Sequence, residues 1–188
     1  MSAPNIDEKI AATYLRLNGF LLLPHFTAFI SIGGKGKYHR HIDLLGLRAA
    51  DSEERPFDNQ PCLLDDILFK QIEDNFGIAN PKSTFLGLMA EVHNPPEFRE
   101  VDYRDYAARF LGKAKCISLA FADAKNFEFN EGTLVIHLTY ALDWIFRRID
   151  QMENELAVRK TESWALSEEF LSDILILRRR THQTPIEK

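Results

Sequence analysis

A three-layer α/β fold, with a mixed central sheet flanked by helices, is what this sequence predicts. Three observations lead there. Stretches with helical spacing alternate with short apolar runs along the chain. Two of those runs, Phe20–Ile32 and Tyr38–Arg48, flank a glycine-rich turn and read as a hairpin. The 188 residues are 45% hydrophobic and 27% charged, which gives one domain enough apolar material for a core.

The elements follow in order. Ile6, Ile10, Tyr14 and Leu17 recur at helical spacing, with Asp7 and Glu8 in the first turn, where the helix dipole favours acids. Asn18-Gly19 supplies the stop. Phe20–Ile32 is a strand whose Pro24 cannot donate to a ladder, so it belongs at an edge or bends there. After Gly33-Gly34-Lys35-Gly36-Lys37, Tyr38–Arg48 runs back. The polar stretch from Ala49 to Pro61 is a surface loop. A helix is predicted over Cys62–Phe76, with Leu64, Leu68 and Ile72 four apart and Gly77 at its end. Thr84–His93 is a strand halted by Asn94-Pro95-Pro96. Tyr103–Gly112 is helical, Cys116–Ala122 and Gly132–Leu138 are strands, and 126–130 is ambiguous. Leu138, Leu142, Ile145, Ile149, Met152 and Leu156 form a helical seam that packs on the sheet or on a second copy in a homodimer. A last helix starts near Ser167 and ends in Arg178-Arg179-Arg180. The reading is a single domain over 1–188. Residues 49–83 form a loop-plus-helix insertion, and 181–188 a loose tail.

A net charge of −5 and a pI of about 5.7 argue against a general histone-like nucleic-acid binder. They leave room for a local basic groove. Cys62 and Cys116 match no metal spacing and suit a reducing compartment. The first residues lack the basic and apolar regions of a signal peptide. The apolar run Phe20–Ile32 is broken by Pro24 and His25 and is too short for a bilayer. A cytoplasmic protein with no membrane partner is expected.

The chemistry gathers on two strands. Tyr38–Arg48 carries Asp43, and Phe85–His93 carries Glu91, each an acid in an apolar run. A buried carboxylate is costly without a partner. Alternation puts His39, His41, Asp43, Leu45 and Leu47 on one face, and Met89, Glu91 and His93 on one face of the other strand. If the strands are neighbours, the two acids approach and repel unless a cation or proton sits between them. Hard oxygen ligands of this kind suit magnesium or manganese.

The acidic first helix with Glu8, the hairpin with His41-Ile42-Asp43-Leu44-Leu45, and Met89-Ala90-Glu91-Val92-His93 resemble the PD-(D/E)XK nuclease superfamily, the restriction-endonuclease-like fold. The resemblance covers roughly the first two thirds of the chain. It implies metal binding by Asp43 and Glu91, with Glu8 as an optional third acid, and hydrolysis of phosphodiester bonds in DNA or, second, RNA. Two departures stand out. His93 replaces the usual lysine, and a loop and a helix separate Asp43 from Glu91. Neutral, His93 can ligate the metal or take a proton from water; protonated, it can replace the lysine. Lys113 or Lys115 is a candidate for a migrated cation.

Each pick has a plainer meaning. Asp43 could take hydrogen bonds from its hairpin, Glu91 could end a strand in water, and Glu8 could serve as a first-turn acid. His39 and His41 form an H-x-H pair with no identified third ligand. The glycine-rich turn joins two strands and so is no P-loop. Its Lys35 and Lys37, with Arg40, either touch a nucleic-acid backbone or solubilise a hairpin tip. Arg178–Arg180 caps a helix end or binds a polyanion. Two rival readings stay open: a nuclease-like domain without catalysis that binds or assembles, and a small-molecule-binding α/β protein.

Overall fold

The computed structural model describes residues 5–31, 37–52, 64–92, 111–123 and 127–159, with the backbone alone at 28–31, 37–40 and 152–159. The chain divides into two compact units, 1–145 and 146–188. The described elements are α1 (Ile6–Leu17), β1 (Leu21–Ser31), β2 (Lys37–Arg48), α2 (Asp66–Phe76), a 3-10 turn (Pro81–Ser83), β3 (Leu86–Val92), β4 (Lys115–Ala122), β5 (Glu128–Asn130), β6 (Thr133–His137) and α3 (Leu138–Arg159). The second unit begins inside α3; within it, Arg148 is buried and its Nη1 donates to Gln151 Oε1 at 3.4 Å.

The fold is α/β, built on an open six-stranded mixed sheet of order β1-β2-β3-β4-β6-β5. β1, β2 and β3 are antiparallel, β3, β4 and β6 are parallel, and β5 returns antiparallel to β6. β1 is an edge strand, the position that Pro24 requires. The hairpin of β1 and β2 keeps one register from Leu21↔Leu47 to Ser31↔Lys37.

α1 forms for the reasons its sequence gives. Asn5 caps it, accepting from the Glu8 amide at 2.8 Å, and Gly19 leaves it at φ +86°. α2 starts later than its apolar spacing predicts, at Asp66 rather than Cys62. The cause is Asp65, whose side chain accepts from the Ile67 and Leu68 amides at 3.0 and 3.3 Å and so fixes the first turn. Leu64 is buried but precedes the helix.

The three helices meet on one face at a single carboxylate. Asp65, 2% exposed, accepts from Tyr14 of α1 at 2.6 Å and from Tyr140 of α3 at 2.9 and 3.0 Å. The Tyr14 ring lies edge-on to Phe121 and Trp144, at 6.0 and 5.4 Å between centroids, and so joins helices to sheet. Arg48 is wholly buried beside them. It donates to the carbonyls of Asn18, Ser52 and Lys82 at 3.1, 3.0 and 2.6 Å, and its guanidinium lies 4.7 Å from the Phe69 ring centre. One charge thus ties together α1, the loop after β2 and the 3-10 turn. The loop and helix expected as an insertion are therefore anchored to the core through Asp65, Arg48 and the buried Leu68, Phe69 and Ile72.

On the opposite face Ile42, Leu45, Met89 and Leu111 form a cluster, with Phe26, Leu47, Ala114 and Cys116 against it. Gly87 lets Leu111 come this close, since a Cβ there would stand 2.5 Å from Leu111 Cδ1. The helix expected over 103–112 would complete a third layer here; apart from its last two residues it lies outside the described residues, as do the final helix and the tail. Of the predicted seam, Leu138, Leu142 and Ile145 are buried by the chain itself and so are not open to a second copy. The side chains of Met152 and Leu156 are not described.

Candidate functional site

The two strand acids lie just past the end of one ladder. The β2–β3 ladder pairs Leu45 with Met89 and ends at Leu44 with Ala90, one residue before Asp43 and Glu91. Both acids are half-buried. Asp43 Oδ2 accepts the Val92 amide at 2.7 Å, so its carboxylate is held against the end of β3. Asp43 thus accepts a hydrogen bond, but the donor is on β3 rather than in its own hairpin. Glu91 sits near the C-terminal end of β3, where the sheet becomes parallel. Carboxylates supply the hard oxygen donors that magnesium or manganese takes, with water in the other positions.

Glu8 faces the sheet from the first turn of α1. Its side chain is 19% exposed, and its Oε2 is buried and accepts no hydrogen bond among the described residues. His25 Nε2 lies 3.9 Å from that oxygen. His25 has φ +53° in the middle of an edge strand. That left-handed backbone costs an L-residue about 1 kcal/mol or more. Pro24↔Leu44 and Phe26↔Ile42 bracket His25, so its place in the register is opposite Asp43. Sequence reasoning passed over His25. Its one visible signal was a histidine following proline in an apolar run, and the backbone turn that gives it meaning is not written in residue types.

The other picks fall elsewhere. His41 is exposed on β2, and the His39 side chain and His93 are outside the described residues. Among the described residues no group of three or more His, Cys, Asp or Glu could hold a metal ion. Lys115 pairs with Leu86, five positions before Glu91 on β3, and Lys113 precedes it. That is about 16 Å of strand rise, so neither lysine serves as a migrated cation for this site. Lys37 and Arg40 stand on β2 opposite Ser31 and Ala28; Lys35 and Arg178–Arg180 lie outside the described residues.

Away from the acids, a cavity of about 370 Å³ opens beside the edge strand. Leu21, Leu23, Phe26, Leu45, Leu47 and Leu111 line it, and none of the described lining residues is titratable. Cys116 lies on this side of the sheet, and burial raises its thiol above the ordinary range.

The chain matches no family model, no curated protein and no solved structure. No helix among the described residues is long and apolar enough to cross a membrane.

Proposed function

We propose that the chain is a divalent-metal-dependent nuclease-like protein that hydrolyses phosphodiester bonds in nucleic acid, DNA before RNA, on a restriction-endonuclease-like fold. The observation that carries this reading is the Val92 amide on Asp43, which ties the acid of β2 to β3 one residue past Glu91. The order of elements supports it: an acidic helix, a hairpin with Asp43, then a strand with Glu91, as the PD-(D/E)XK resemblance implies.

In this reading Asp43 and Glu91 would hold magnesium or manganese, with Glu8 as an optional third acid, and such an ion would supply an activated water and Lewis-acid polarisation of a phosphoryl oxygen. His93, two residues past Glu91, accepts the proton of the attacking water. The Val92 amide keeps the Asp43 carboxylate in place throughout. In this reading Lys35, Lys37 and Arg40 contact a nucleic-acid backbone.

The test is cleavage of supercoiled DNA, linear duplex, single-stranded DNA and RNA, with magnesium or manganese against a chelator. Cutting that needs the metal and is lost in both Asp43→Ala and Glu91→Ala is the expected result. No cutting by any preparation overturns catalysis.

One observation favours a second reading, a nuclease-like domain that binds nucleic acid without cutting it. The motif lysine is His93, and Lys113 and Lys115 lie at the far end of the strands. His93→Lys separates the two. Metal-dependent cutting that appears only in that variant identifies the binding module.

A further inference from the structure

We propose that the far half of the β1–β2 hairpin is a DNA-binding arm, a two-stranded ribbon that enters the major groove of a duplex. The inference rests on the nucleic-acid reading above and not on catalysis by Asp43 and Glu91.

Three observations meet in this ribbon. First, the hairpin outruns the sheet. The β2–β3 ladder ends at Leu44↔Ala90, whereas β1 and β2 stay paired as far as Ser31↔Lys37. Phe26 and Ile42 still pack in the apolar cluster at its base. Beyond them, five register pairs from Thr27↔His41 to Ser31↔Lys37 have no third strand beside them among the described residues. At roughly 3.4 Å per residue these pairs make an arm about 15 Å long. Second, the backbone breaks where the arm leaves the sheet. His25, with φ +53°, comes one step past Pro24↔Leu44, at the level where the β2–β3 ladder has stopped. Ile42 and Leu45 belong to one buried cluster although three positions separate them, so strict alternation also fails at this level. The arm therefore does not continue the pleat of the sheet.

Third, the charge on this stretch has one sign. Between Phe26 and Ile42 the sequence carries Lys35, Lys37 and Arg40, with His39 and His41, and neither Asp nor Glu. The whole chain has a net charge of −5, so the stretch is a basic island in an acidic protein. On the described part of the ribbon, Lys37, His39 and His41 fall at alternate positions opposite Ser31, Phe29 and Thr27, and Arg40 falls opposite Ala28. His41 is exposed. Charge selects a polyanion, and shape selects among polyanions. The major groove of B-form DNA is about 12 Å wide and admits a two-stranded ribbon. The major groove of duplex RNA is too deep and narrow for one. Cations along a ribbon in the groove neutralise phosphates on its walls and release counterions.

The experiment measures binding of the full chain to a fluorescent DNA duplex by anisotropy, in chelator and across a salt series. Duplex RNA of equal length and phosphatidylserine vesicles run beside it. The arm variant is Lys37→Gln with Arg40→Gln. The control is Lys113→Gln with Lys115→Gln, which removes as much charge from two exposed positions at the other end of the strands. The arm variant should bind DNA about tenfold more weakly or worse at 0.1 M salt, and its slope of log affinity against log salt should fall by about two. The control should match the wild type, and duplex RNA binding should be the same in all three. Lys37→Arg with Arg40→Lys, which keeps both charges, should retain DNA affinity; a full loss there would make the effect structural and overturn the proposal. An arm variant that binds DNA as the wild type does overturns the arm and leaves the nucleic-acid reading standing. Equal losses in the control overturn it as well, because net charge alone then accounts for binding. Equal losses on duplex RNA rule out the groove, and a loss on vesicles alone makes the partner a membrane surface. A wild type that binds no nucleic acid at low salt removes the nucleic-acid reading, and this proposal with it.

Discussion

The Val92 amide donates to Asp43 Oδ2 at 2.7 Å, so the acid on β2 is held by the backbone of β3 one residue beyond Glu91. Removing the acceptor and removing the charge are different changes. Asp43→Ala strands a part-buried amide and should cost about 1–3 kcal/mol in urea denaturation. Asp43→Asn keeps an acceptor oxygen and should cost less than half as much, yet lose manganese binding fully. Equal stability losses in the two variants would show that the bond contributes little.

Asp65 should be the most sensitive acid in the protein for stability. It caps α2 and receives two tyrosine hydroxyls while 2% exposed. Asp65→Ala removes a cap, about 1 kcal/mol, and leaves the hydroxyls of Tyr14 and Tyr140 to find new partners, about 1–3 kcal/mol more. A denaturant midpoint that moves by less than the equivalent of 1 kcal/mol would contradict this.

Gly87 and Leu111 form a matched pair. A methyl group at position 87 would meet Leu111 Cδ1 at 2.5 Å, so Gly87→Ala should destabilise by about 1–3 kcal/mol. Combined with Leu111→Ala, which opens space at the same spot, the two losses should sum to less than their separate values. Strict additivity by chemical denaturation would mean that the crowding is relieved elsewhere.

Burial raises the Cys116 thiol, so at pH 8 it carries less reactive thiolate than the same cysteine in the unfolded chain. Alkylation of Cys116 by iodoacetamide at pH 8, followed by peptide mass mapping, should run at least tenfold faster in 8 M urea than in buffer. Equal rates would place this thiol in open solvent.

Much of the strand framework was legible from residue types. The apolar runs gave five of the six strands, Pro24 marked the edge, and Asn18-Gly19 marked the end of α1. These signals are local: a backbone that cannot donate, a turn only glycine accepts easily, an apolar run long enough for one strand. The start of α2 was misjudged because Leu64 continues the apolar spacing, while the boundary is set by the side chain of Asp65. Nothing in the residue types marks Arg48 and Asp65 as buried charges. Their burial depends on carbonyls and hydroxyls brought from three distant segments.

The candidate site divides the same way. The sequence by itself determined which acids sit in apolar strands, and so named Asp43 and Glu91, while Glu8 came from the family resemblance. Only the tertiary structure decided that β2 and β3 are neighbours, in a register that ends at Leu44↔Ala90. It alone decided that Lys115 stands at the far end, and that His25 lies between Glu8 and the Asp43 strand. The physical reason is that register is a property of strand pairs. A shift of one residue turns every side chain to the other face, and what selects one register is the packing of both faces at once.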